Sequence, residues 1–118
     1  MKIRIKGDTV RLRLSQGEVD AIGKFQTVSE HTNFADNVFT YSLVVSQEIQ
    51  QISASFNHNK MEVLIPQSMA SLWSSTDQVG IESVKDSIPS VLIEKDFQCL
   101  TERGEDESDL FTNPNTVC

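Results

Sequence analysis

The chain has 118 residues and a formal net charge of −7, with 38% hydrophobic and 23% charged residues. That length fits one domain and not two conventional ones, with core enough to fold without disulfide or metal staples. The acidic balance argues against a general nucleic-acid binder or an anionic-membrane binder, and no run of about 18 apolar residues is present to span a bilayer.

Two strands open the chain. Lys2, Arg4 and Lys6 interleave with Ile3 and Ile5, and Arg11 and Arg13 interleave with Val10, Leu12 and Leu14. Period-two alternation marks strands with one buried face, and Gly7-Asp8-Thr9 has the composition of a hairpin loop. The same alternation interrupts any apolar stretch that a secretory signal would need, so a cytoplasmic location is expected. Ser15-Gln16-Gly17-Glu18 reads as a capping box, with Val19 and Ile22 forming the apolar stripe of a short helix that stops near Gly23.

Residues 26–34 are polar and read as a weak strand. Phe39 to Val45 and Ile52 to Phe56 are clear strands, and Asn57-His58-Asn59 is a turn into a further strand through Met61, Val63 and Ile65. Pro66 is expected at the first position of a second short helix whose stripe is Met69, Leu72 and Trp73. Two more strands are expected near 78–84 and 89–97. Beyond Leu100 the chain turns acidic and loses periodicity.

The fold class expected is α+β, with two short helices on a mostly antiparallel sheet of about seven or eight strands that curls. Residues 1–100 form the single domain and 101–118 an acidic tail. The expected core joins Ile3, Ile5, Leu12 and Leu14 to Phe39, Tyr41, Leu43, Ile52, Ala54, Phe56, Met61, Val63, Ile65, Leu72 and Trp73. A hydrophobic pattern also repeats at a shift of 51 residues, carrying Val10, Leu12, Leu14, Gln16, Val19, Ile22 and Val28 onto Met61, Val63, Ile65, Gln67, Ala70, Trp73 and Val79. Internal duplication would produce this, and so would two unrelated amphipathic strand–helix units.

One constellation stands out as a candidate site. Lys2, Arg4, Lys6, Arg11 and Arg13 fall on one side of the opening hairpin, because residues two apart in a strand share a face. Cations at that spacing repel one another unless anions lie near, which makes the face a candidate for phosphate or carboxylate groups. The plainer readings are a solvated face that discourages edge pairing and a partner surface for the chain's own acids. Those acids are concentrated in residues 94–109, where Glu94, Asp96, Glu102, Glu105, Asp106, Glu107 and Asp109 oppose only Lys95 and Arg103. The tail is therefore expected to lie against the hairpin, with Arg103 turned away and Leu110 and Phe111 anchored in an apolar notch.

Other chemistry is thinly marked. The acids lack the layout of a calcium loop, and His31, His58, Cys99 and Cys118 lack the close spacing of a zinc site. No phosphate-cradling glycine loop or nucleophile elbow occurs, so no catalytic residue, metal ligand or cofactor is assigned. In a reducing compartment Cys99 and Cys118 are expected as free thiols, with a disulfide through the tail as the alternative.

With these segments laid out, the opening MKIRIKG-x-x-VRLRL followed by Glu18-Val19 resembles a family of small bacterial proteins of unknown function. So does the closing pattern from Ile93-Glu94-Lys95-Asp96-Phe97 through Cys99-Leu100, Arg103, Glu105-Asp106, Asp109 and Phe111. The Phe-Asn-x-Asn turn, the strand into Pro66 and the Trp73 helix are similar too, so the likeness covers nearly the whole chain. The family's closing Phe-Pro-Asn-Pro is Phe111-Thr112-Asn113-Pro114 here. The resemblance implies bacterial origin and a stand-alone domain, and brings no activity with it.

The function expected is a non-enzymatic binding or interaction domain whose partner is unknown, another protein and a second copy being the candidates. The alternative is an anion-binding protein or metal-dependent phosphate-handling enzyme with the cations inside the curled sheet. Triphosphate-tunnel proteins supply that architecture by analogy, although their alternating glutamates are missing from the first strand. The direction in which the five cations point separates the two.

Overall fold

The computed structural model describes residues 1–98. The chain runs β1 (Lys2–Lys6), β2 (Thr9–Leu14), α1 (Gln16–Gly23), β3 (Val28–Asn33), β4 (Val38–Ser46), β5 (Ser53–Asn57), β6 (Lys60–Pro66), α2 (Gln67–Ser75), β7 (Gly80–Glu82) and β8 (Ser90–Lys95). The expected docking of the acidic tail, and the state of Cys99 and Cys118, fall outside the described residues. No helix among those residues is long and apolar enough to cross a membrane.

The α+β class holds, and among the described residues four of the six strand pairings are antiparallel, but the single curled sheet does not hold. Eight strands divide into two four-stranded mixed sheets, ordered β1-β2-β8-β7 and β3-β4-β6-β5. Each sheet joins two antiparallel hairpins through a parallel central pair, β2 with β8 and β4 with β6. Alternation in a sequence marks a strand and its buried face, whereas the direction of its partner is set by connections that alternation does not encode.

The two halves carry the same elements in the same order. Adding 51 to a residue number takes β1 onto β5, the start of β2 onto the start of β6, and α1 onto the first eight residues of α2. Each sheet therefore takes one hairpin from each half. The repeated positions agree in the interior: Val10, Leu12, Leu14, Val19 and Ile22 are buried, as are their counterparts Met61, Val63, Ile65, Ala70 and Trp73. Val28 is buried while Val79 is half exposed, so the correspondence fades after the helices. Val91, Ile93, Leu43 and Ile52 complete one apolar cluster drawn from both sheets and both helices.

Local signals explain the helices. Glu18 N–H donates to Ser15 Oγ at 3.4 Å and Ser15 N–H donates to Glu18 Oε1 at 2.9 Å, the reciprocal capping box expected from the sequence. Pro66 sits one place earlier than expected, as the residue preceding α2, and makes no side-chain cap. Trp73 is fully buried, and its indole N–H donates to the Val79 carbonyl at 3.1 Å, which satisfies the ring's one polar group.

Three residues expected in the core are exposed. Ile5 and Phe56, equivalent positions at the far ends of edge strands β1 and β5, are 57% and 65% exposed. Both fall on the core side of their strands by alternation, yet each remains largely exposed at its strand's end. Phe56 meets Phe39 with ring centroids 6.2 Å apart. Leu72 is also exposed, because α2 turns Ala70 and Trp73 inward.

Candidate functional site

The register of the opening hairpin pairs Lys2 with Arg13 and Arg4 with Arg11. Directly opposite residues share a face, so Lys2, Arg4, Lys6, Arg11 and Arg13 stand together, and the burial of Val10, Leu12 and Leu14 fixes that face as the outer one. The parallel register of β8 against β2 extends the face with Ser90, Leu92 and Glu94, and β7 adds Gly80 and Glu82. Lys2, Arg4 and Lys6 are exposed, and Arg11 and Arg13 are half-buried.

Carboxylates from β8 and the residue following it enter this face at one end. Arg13 Nε donates to Glu94 Oε1 at 2.9 Å, Arg11 Nε lies 3.5 Å from the same oxygen, and Lys2 Nζ lies 2.8 Å from Asp96 Oδ2. The acids at the start of the 94–109 stretch thus do meet the hairpin. Toward the β1–β2 turn, Arg4, Lys6, Thr9, Arg11, Glu82, Ser90 and Leu92 line a depression of about 290 Å³. Its lining carries three cations against one carboxylate. Glu82 and Leu92 also line a neighbouring groove of about 450 Å³, whose other walls are Met69, Leu72, Gln78, Gly80 and Ile81. A wider depression of about 590 Å³, bounded by Phe25, Ile49, Pro66 and serine and glutamine side chains, holds no acid, base or histidine.

The second sheet provides an internal comparison. The positions equivalent to Lys2, Arg4, Lys6, Arg11 and Arg13 are Ser53, Ser55, Asn57, Glu62 and Leu64. The same hairpin, with the same register and the same buried face, is built there with a single cation, Lys60, which stands where the first hairpin has Thr9 and lies 3.6 Å from Glu62. Neither the turn nor the core needs the charges.

A second cluster of charge lies at the core edge. The Met1 ammonium contacts Glu18 Oε2 at 2.5 Å and Glu30 Oε1 at 2.9 Å, and the Tyr41 hydroxyl donates to the Met1 carbonyl at 2.7 Å. Burial opposes the charged Met1 amine but is outweighed by its hydrogen bonds to Glu18 and Glu30, so its pKa lies above the usual 8.0. Burial likewise opposes the Glu18 carboxylate, yet hydrogen bonds from that amine and from Ser15 hold its pKa below the ordinary value. Burial raises the Tyr41 pKa, with the Glu30 and Glu18 charges acting in the same direction. These contacts tie β1, α1, β3 and β4 together, with every charge answered inside the protein.

Sequence reasoning brought the five cations together correctly and missed the residues that shape the depression. Ser90, Leu92 and Glu94 alternate in β8, which was legible, but pairing of β8 with a strand some eighty residues earlier was not. His31 lies on β3 of the other sheet and His58 in the β5–β6 turn at φ 52°, so neither histidine joins the cationic face. Among the described residues no group of three His, Cys, Asp or Glu side chains is placed to hold a metal ion.

The chain belongs to a family of unknown function (DUF7009), whose pattern matches residues 1–115. No curated protein matches it.

Proposed function

We propose that this protein is a binding module whose working surface is the outer face of the β1-β2-β8-β7 sheet, where it takes an anionic group of a partner. The observation that carries the reading is the contrast between the two equivalent hairpins. Selection for folding alone would leave the outer faces interchangeable, yet one hairpin holds five cations there and the other only Lys60, beside Glu62. Edge protection is a weak rival, since β5 is an edge strand as well and has only Ser53, Ser55 and Asn57 outside.

The direction of the cations also favours binding over phosphate-handling catalysis. A tunnel enzyme would enclose them with opposing carboxylates that hold a divalent metal, whereas these five stand on an open face away from the core. With a net charge of −7, the rest of the body repels those parts of a long polyanion that run past the patch and within a Debye length, about 10 Å, of its surface, so a short anionic group suits the patch better than an extended nucleic acid.

A thermal-shift panel tests this, because a ligand specific to the native state raises the melting temperature. Tripolyphosphate and a short polyglutamate peptide should each raise it at low salt. The shift should disappear in Arg4→Gln/Lys6→Gln/Arg11→Gln and persist in Lys60→Gln, which alters the other sheet. No shift with any anion, or an equal shift in the triple variant, overturns the reading. Release of phosphate from tripolyphosphate with Mg²⁺ would replace it with the catalytic alternative.

A further inference from the structure

The anion-binding reading leaves open what kind of partner carries the charge. We infer that the partner is an extended acidic peptide segment bearing one bulky apolar side chain, which seats in the groove between α2 and β7. The inference rests on the proposed anion-binding face and adds to it.

Two observations point there. The cationic depression and the apolar groove share Glu82 and Leu92 in their walls, so they form one continuous surface across β1, β2, β8 and β7. Its far end is apolar by composition: Met69, Leu72, Ile81 and Leu92 line it, and Leu72 is 58% exposed on a helix whose Ala70 and Trp73 are buried. An anion alone has no use for that end, and an apolar ligand alone has no use for Arg4, Lys6 and Arg11. Only a ligand with both characters covers the surface.

Geometry sets the spacing within the ligand. Arg11 on β2 stands two strands from β7, and Arg4 and Lys6 on β1 stand three strands away. At about 4.8 Å per strand these distances are roughly 10–14 Å, which an extended peptide crosses in about three to four residues at ~3.3 Å each. A peptide therefore fits when its acidic residues lie three to four positions from its apolar one. Glu82 sits on the shared rim and opposes the acids, so it tunes affinity downward.

The test uses the full-length protein and fluorescence anisotropy with three labelled peptides. The first has a run of four glutamates, two serines and a phenylalanine; the second replaces phenylalanine by serine; the third replaces the glutamates by glutamines. The first should bind, and each of the others should bind at least about tenfold more weakly, since burying one aromatic side chain contributes on the order of 1.5–3 kcal/mol. Leu72→Ser should weaken the first peptide about tenfold and leave the second unchanged, and Glu82→Gln should tighten both acidic peptides. Leu72 is exposed, so its replacement should leave the melting temperature within a few degrees of wild type, and Trp73 fluorescence checks the fold independently.

Equal binding of the first and second peptides overturns the inference while leaving the anion-binding reading standing. Failure of all three, with no anion response in the thermal-shift panel, removes both. Self-association of the protein that Leu72→Ser abolishes would assign the groove to a second copy, and would overturn the peptide assignment.

Discussion

Replacing Gly23 by alanine should destabilise the protein, against the usual sign for a helical glycine. Alanine ordinarily gains about 0.5–1 kcal/mol over glycine inside a helix, and less at the last position, which Gly23 occupies in α1. Here a Cβ built on Gly23 would lie 2.6 Å from Ser74 Oγ and 2.9 Å from Ser74 Cβ. The hydroxyl can rotate away, but the Ser74 Cβ is fixed to the α2 backbone, so the two helices must move apart. Overpacking of this kind costs about 1–3 kcal/mol, which outweighs the propensity gain and leaves a net loss of roughly 1–2 kcal/mol. Residues 23 and 74 are equivalent positions in the two halves, so at this contact a glycine of one helix faces a serine of the other. Urea unfolding followed by Trp73 fluorescence measures the effect, the indole being the only tryptophan and fully buried. Gly23→Ala/Ser74→Gly, which moves the side chain to the other helix, should recover stability relative to the sum of the single variants by about 1 kcal/mol or more. A stabilised Gly23→Ala, or strict additivity in the double variant, would refute the close contact between α1 and α2.

Leu12→Ala, at a fully buried position, should cost about 3 kcal/mol in transfer and cavity terms, whereas Phe56→Ala, at a side chain 65% exposed, should cost roughly 1 kcal/mol or less; equal losses by urea titration would show that the assignment of inner and distal positions is wrong. Ser15→Ala should cost about 1 kcal/mol through loss of the α1 cap, and Ser15→Gly only a few tenths, as read from thermal unfolding; no change in Ser15→Ala would count against the capping box. Because the folded pKa of Glu18 is depressed, its contribution is present above the unfolded value near 4.5 and lost as pH falls through the folded one, so Glu18→Gln should flatten the acid limb of the stability–pH curve. The Met1 amine has the opposite sign: its pKa is raised, so its contribution is full below about 8 and declines as pH rises through the folded value, and an unchanged alkaline limb in Glu18→Gln would contradict that coupling.

Much of this architecture was legible because it is local. The alternation of Lys2 to Lys6 and Thr9 to Leu14 fixed two strands and their faces, and Ser15 with Glu18 fixed the start of α1. The shift of 51 residues recovered the equivalence of the buried positions from Val10 to Ile22, since interior packing constrains size and apolarity at each of them. What failed was non-local. Phe56 has every local mark of a core residue, and its exposure is set by tertiary packing that alternation does not encode. Pairing β2 with β8 and β4 with β6 depends on each half reaching across to the other, for which no residue in either strand is a signal. The cationic face was readable as a set of residues. Its depression was not, because Glu82, Ser90 and Leu92 come from the distant hairpin.

That exchange of hairpins bears on how the candidate surface comes into being. Neither half holds a complete sheet: β1 and β2 need β8 and β7 from the other end of the chain, and β5 and β6 need β4 and β3. Thr9 pairs with Ser90 and Leu14 with Lys95, so closing the first sheet must overcome the entropy of a loop of about eighty residues before those contacts form. Each central parallel pair joins a strand of one half to a strand of the other, so both sheets draw on both halves. The cationic residues come from the first hairpin, and the carboxylates that neutralise one end of it come from the last. Until β8 docks, Lys2, Arg11 and Arg13 lack Glu94 and Asp96, and Arg4 and Lys6 face no wall of Ser90, Leu92 and Glu82. The opening fourteen residues alone would be an indiscriminate basic ribbon. Folding of the whole chain converts that ribbon into a surface that runs from the ion pairs of Glu94 and Asp96 past Arg4 and Lys6 to an apolar groove, and such an order of groups is what lets a surface select a partner by sequence as well as by charge.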